Sequence, residues 1–139
     1  MTAERQRTIE IDTRGQGLYE FTPAAIDFAA TQAEPIGLLT LFVRHTSCSL
    51  LIQENADPDV QADLKEFFAR LAPEGMDWLT HTTEGEDDMP AHIKAALTAT
   101  SLSIPVAGGR PLLGQWQGIY LFEHRRAPHR RQIVFHFSA

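Results

Sequence analysis

The segment "HTTEGEDDMPAHIK", residues 81–94, gathers His81, His92 and the four carboxylates Glu84, Glu86, Asp87 and Asp88 around a glycine and a proline. The imidazoles stand eleven residues apart, so a loop folding back on the helix that follows brings them together. His45, from "HTSCSL", supplies a third. Three neutral imidazoles with an open fourth position are the set that holds a catalytic zinc or a related divalent ion. The spacing is not the i, i+4 pair of a helical zinc motif, and six histidines scattered over a surface are the plainer alternative. The carboxylates divide in the same way. They can orient the imidazoles or bind Mg²⁺ carried by a phosphorylated substrate, or they can simply cap and charge a helix N-terminus. Gly85, flanked by Glu84 and Glu86, favours a sharp turn that presents them.

A second polar set, "QENADPD", places Glu54 and Asn55 at the end of an apolar strand, where functional groups collect on rigid scaffolds. Glu123 ends the stripe of Ile119 and Leu121 and reads equally as a strand-end charge or a ligand-facing group. Ser47, Cys48 and Ser49 follow His45 without the strained glycine elbow of a nucleophile, and Cys48 reads as core. The basic run "HRRAPHRR", His124 to Arg131, is expected to be a solvated turn between strands, with an anion contact as the alternative. "AGGR" carries neither a P-loop nor a dinucleotide fingerprint.

The elements that must position these groups follow from periodicity. "RTIEID" alternates as an edge strand, and "TPAAIDFAATQA" reads as a short helix capped by Thr22 with Ile26, Ala29 and Ala30 buried. "IGLLTLFVR", 36–44, reads as a strand covered on both faces, and 47–53 as a second strand. Asp57 and Pro58 start a helix whose buried positions are Val60, Leu64, Phe67, Phe68 and Leu71. Asp87 or Asp88 caps another, running to about Thr100 with Ile93, Ala96, Leu97 and Thr100 inward. "SLSIPV", "GQWQGIYLFEHR" and "RQIVFHF" then read as strands with short connections. Strands at both ends with helices between them predict an α+β fold in one domain, residues 1–139.

A formal charge of -6 argues against nucleic acid, which needs a concentrated basic surface. One cysteine forms no internal disulfide, no apolar run reaches a membrane span, and the N-terminus lacks a signal-peptide core. The expected setting is the cytoplasm, with no membrane partner.

In order and spacing, "HTSCSL", "QENADPDV", "EGEDDMPAHIK", "TSLSIPV" and "GQWQGIYLFEHR" resemble the YjbQ family, also called secondary thiamine-phosphate synthases, over roughly residues 36–137. The resemblance implies a β-sandwich-like α+β subunit with two to three helices, assembling as a homotrimer around a metal-binding pocket. It assigns His45, His81 and His92 to the metal, and Glu84, Asp87, Asp88, Lys94, Glu123 and Arg125 to catalysis. Glu54, Asn55, Trp116 and Gln117 then line the pocket. Cys48 and Gln115 depart from the family's usual small residue and threonine without removing a ligand. The implied activity joins hydroxymethylpyrimidine diphosphate to thiazole phosphate with loss of pyrophosphate, Lys94 or Arg125 binding phosphate oxygens beside a divalent ion, zinc or Mg²⁺. Two rivals stand beside it. One is a metal-dependent hydrolase with Glu84 or Glu123 as general base, and the other a trimeric protein that binds a small ligand without turnover.

Overall fold

The structure, a computed structural model, describes residues 4–139. Eight strands form two antiparallel sheets. The larger contains β1 (Gln6–Asp12), β8 (Arg130–Ser138), β3 (Gly37–Val43), β5 (Ser101–Ala107) and β6 (Arg110–Pro111), in that order. The smaller contains β2 (Gly17–Glu20), β7 (Gln117–Glu123) and β4 (Cys48–Glu54). Three helices complete the described residues: α1 (Thr22–Ala30), α2 (Pro58–Leu71) and α3 (Asp88–Leu97). The α+β expectation therefore holds, and β1 is an edge strand as its alternation predicts.

Alternation explains the layering. Leu39, Leu41, Val43, Ile133, Phe135 and Phe137 point from the large sheet toward Cys48, Leu50, Ile119 and Leu121 of the small one, and all are buried. Phe21, Phe28 and Ala25 of the α1 region join this core, with both rings against Phe135. The other face of the small sheet carries Ser49, Tyr120, Phe122 and His124, and the helices cover it: Phe68 of α2 meets Phe122 edge-on. Residues 98–100 tie the layers together, because Leu50 N–H donates to the Ala99 carbonyl and Val43 N–H to the Thr100 carbonyl.

Several local expectations change. The strand covered on both faces is β7, whereas β3 leaves Leu38 and Phe42 exposed on its outer side. Thr22 does not cap α1. Phe21 holds that position, and the Thr22 hydroxyl donates to Glu20 while accepting from Ile119 N–H. The inward side of α1 is Ala25, Phe28 and Ala29, with Ala30 exposed.

α2 begins at Asp57 as predicted, its carboxylate accepting from Asp59 N–H, yet it lies on the surface with Phe67 and Leu71 outward. α3 buries Ala91, Lys94 and Ala95, while Ala96, Leu97 and Thr100 are exposed. The basic run is a solvated turn only in its middle, where Arg126, Ala127 and Pro128 are exposed. It crosses from the small sheet to the large one, with His124 and Arg131 buried, Arg126 paired with Glu74 and Arg130 with Asp12.

Candidate metal centre

The first turns of α3 set Asp88 and His92 one above the other, as residues four apart on a helix must be. Asp88 Oδ2 lies 3.1 Å from His92 Nε2 and 2.7 Å from His81 Nε2, and Glu84 Oε2 lies 3.5 Å from the same His81 nitrogen. One ligand atom from each of His81, Glu84, Asp88 and His92 lies within 4.8 Å of the others. The turn before α3 makes this meeting local: Gly85 adopts φ +109°, a conformation that glycine enters without strain. A Cβ there would also stand 3.1 Å from Asp87 Oδ1.

Asp87 and Asp88 are 6 % and 2 % exposed, and although Asp87 holds the N-cap position of α3 as expected, its side chain makes no capping hydrogen bond. Arg125, just beyond β7, holds both. Its Nε donates to Asp87 Oδ2 at 3.0 Å, Nη1 to Asp88 Oδ1 at 2.7 Å, and Nη2 to the Glu84 carbonyl at 3.0 Å. Burial raises the Asp87 carboxyl, but the Arg126 N–H and the Arg125 guanidinium outweigh it and hold the group below the usual range. Asp88 is lowered in the same way: burial opposes, while the hydrogen bond to His81 and the charge of Arg125 prevail.

The remaining candidates are dispersed. His45 is outside the four-residue group. Its Nε2 accepts from Gln132 N–H at 2.8 Å, and burial and the nearby Arg131 charge hold its pKa low. It meets His92 only across a shallow hollow of about 240 Å³ lined by Thr46, Ala95 and Thr100.

Glu123 is fully buried at the far side of the small sheet. It accepts from Thr13 Oγ1 at 2.7 Å, from Arg131 Nε at 2.8 Å and from the N–H groups of His124 and Arg125. Burial raises its carboxyl, but the Arg131 and Thr13 hydrogen bonds bring it below its ordinary value. No face is left for a substrate proton. Lys94 is buried in a separate hollow of about 60 Å³ beside Glu74 and Asp87, and burial lowers its pKa.

Glu54, Asn55, Trp116 and Gln117 sit at the opposite end of β4 and β7. The strands pair Cys48 with Glu123 at one end and Glu54 with Gln117 at the other, roughly 20 Å away at the rise of extended chain. Locally, Asn55 N–H bonds the Trp116 carbonyl, Glu54 accepts from Asp57 N–H, and Gln117 accepts from Gly114 N–H.

Two features of the centre escaped the sequence. One is the Thr46 carbonyl, 2.8 Å from His92 Nδ1. The other is a cavity of about 410 Å³ between the loop after α2 and the start of α3, walled by Met76, Leu79 and Met89 and bordered by Asp77, His81 and Glu86. "PEGMDWLT" offers no periodicity from which that wall is legible. Backbone carbonyls leave no residue signature at all.

A family model described as UPF0047 protein YjbQ-like matches residues 7–139. UPF0047 protein sll1880 of Synechocystis is 50% identical over 135 residues, covering 97% of this chain and 92% of its own. UPF0047 protein YjbQ of Escherichia coli O157:H7 is 41% identical over 130 residues, 93% of this chain and 94% of its own. Among solved structures, the conserved hypothetical protein TT1486 of Thermus thermophilus superposes with a TM-score of 0.81 at 34% identity, covering 92% of this chain and 97% of its own. A YjbQ/UPF0047 family protein of Clostridium acetobutylicum gives 0.83 at 28% identity, covering 96% and 98%.

Proposed function

The chain belongs to the UPF0047 YjbQ-like family, and we propose that it works as a divalent-metal enzyme of hydrolytic type, with zinc or a similar ion held by His81, Glu84, Asp88 and His92. The observation that carries this reading is the tautomer of His92. A carbonyl only accepts, so the hydrogen bond to Thr46 O places the proton on Nδ1. In the singly protonated ring this leaves Nε2 bare toward Asp88 Oδ2 at 3.1 Å, acceptor facing acceptor. Either a second ring proton or a metal ion satisfies that contact, and with Glu84 and His81 converging on the same point the donor set of histidine nitrogens and carboxylate oxygens is the one that zinc-type ions take. An imidazole fixed by a carbonyl behind it and a carboxylate fixed by Arg125 are the supports such a site requires.

When bound, the ion would supply Lewis acidity to a substrate oxygen and to the attacking water. The chain supplies orientation and proton transfer. Asp88 and His92 are fixed, whereas the Glu84 side chain is exposed and only 3.5 Å from His81, so of the four it is the group that would yield its position to the water and take its proton. Metal content measured on untagged, chelator-free protein tests the reading. About one zinc-type ion per chain, lost in His92→Ala, is expected; wild-type protein that neither carries nor takes up metal overturns it.

Thiamine-phosphate synthesis is the lesser reading, because Lys94 lies in its own hollow and Arg125 is engaged by internal carboxylates, which leaves a diphosphate only the ion to bind. Formation of thiamine phosphate from the two phosphorylated precursors with Mg²⁺ would reverse that ranking. A homotrimer is proposed to form through the outer face of the large sheet, where Leu38 and Phe42 stand exposed, and light scattering that finds a monomer removes it. No helix among the described residues is long and apolar enough to cross a membrane. The lone buried thiol accords with a reducing cytoplasm, in which we place the protein.

A further inference from the structure

We infer that the 410 Å³ cavity beside His81 is the substrate pocket, and that it takes a small, partly apolar molecule bearing a positive charge, such as a protonated amine or amidine, in preference to a phosphate. Its size falls within the range of small-molecule sites. Met76, Leu79 and Met89 are half-buried along it and offer an apolar wall, the two thioethers being adaptable and polarizable. The charged residues on its lining are the carboxylates Asp77 and Glu86, and neither lysine nor arginine is among them.

Charge accounting around the cavity gives its sign. Arg125 faces Asp87 and Asp88, so that cation is already neutralised within the fold. Glu84 and Asp88 together match the charge of one divalent ion in the proposed centre. Asp77 and Glu86 are what remains, and both are exposed at the cavity rather than paired across the interior. An anion entering here meets two like charges and no lysine or arginine, His81 being turned to Asp88, whereas a cation meets two opposite charges beside an apolar wall. A phosphate ester is therefore disfavoured at the recognition step, whatever chemistry follows.

The catalytic part of this inference rests on the metal-enzyme reading, but recognition does not, and the test separates them. The chain has three methionines, of which Met76 and Met89 line the cavity and Met1 lies outside the described residues. Protein carrying ¹³C-methyl methionine is titrated with benzamidine and, separately, with phenyl phosphate, in the metal-free and the zinc-loaded state. Benzamidine is expected to shift the Met76 and Met89 methyls in both states, assigned by single Met→Leu variants, with affinity falling as salt rises. Glu86→Gln with Asp77→Asn should weaken it roughly fivefold, with the fold checked by the unchanged remainder of the spectrum.

Three results overturn the inference: phenyl phosphate shifting the same methyls of metal-free protein at equal or lower concentration, benzamidine affinity unchanged in the double variant, or neither probe shifting them. Failure of the metal reading looks different, since the benzamidine shifts then persist while no zinc is taken up.

Discussion

Arg125 shows how one side chain sets the geometry of the centre without being a ligand. Asp88 divides its oxygens, Oδ1 toward the guanidinium and Oδ2 toward the two imidazoles, and the planar fork allows Arg125 to hold Asp87 at the same time. Removing the guanidinium leaves two nearly buried carboxylates uncompensated. Arg125→Met is expected to lose about 3 kcal/mol or more of stability in urea unfolding. Arg125→Lys keeps the charge but not the fork, so it should recover part of that loss while zinc affinity stays at least about tenfold weaker than wild type. Wild-type affinity in the lysine variant would show that charge alone positions Asp88. His81, Glu84, Asp88 and His92 were legible as candidates because their residue types carry chemistry, and Arg125 through the family resemblance. Their division of labour was not, since the sequence does not reveal which carboxylates are held by an arginine 37 residues or more away and which stays exposed.

At the scale of elements, helix existence was more legible than helix orientation. Asp57 and Pro58 announced α2 through backbone chemistry that is local, and the cap is present. Which side faces inward is decided by the partner, here the outer face of a three-stranded sheet wide enough for only part of the apolar stripe. Val60, Leu64 and Phe68 are half-buried against it, while Phe67 is 57% exposed. Phe68→Ala should therefore cost about 2 kcal/mol, and Phe67→Ala no more than about 0.5 kcal/mol, both read from urea midpoints. Equal losses would mean that α2 is covered on its outer side in solution. α3 inverted the expectation for another reason: its inward side carries Asp88 and Lys94, and a search for apolar periodicity passes over a face whose burial rests on charge and small residues.

The whole molecule places two polar systems back to back through the small sheet, and both make stability depend on pH in the same direction. The consecutive apolar strands β7 and β8 read as strands joined by a short turn, but "HRRAPHRR" carries the chain between sheets, which draws Arg131 to Glu123 on one side and leaves His124 beside Ser49 on the other. Pairing between distant strands, such as β1 with β8, leaves no mark in either segment alone. Burial, aided by the Lys94 charge, lowers His124 from 6.5 to about 3, so the folded protein keeps it neutral where the unfolded chain takes up a proton. The stability that it contributes is thus full above pH 6.5 and is lost progressively as pH falls toward 3. Glu123, whose folded pKa lies below its ordinary 4.5, adds a second loss that begins only under that value. Acid unfolding should accordingly have two stages, the first set by His124 alone among the fully buried histidine side chains. Urea unfolding of metal-free protein at pH 7.5, 6.0 and 5.0 is expected to lose about 1 kcal/mol per pH unit below the first threshold. In His124→Gln that slope should flatten while the loss below pH 4.5 remains. Parallel curves for the two proteins would place the acid sensitivity elsewhere, with His45, the other histidine lowered by burial, as the next residue to replace.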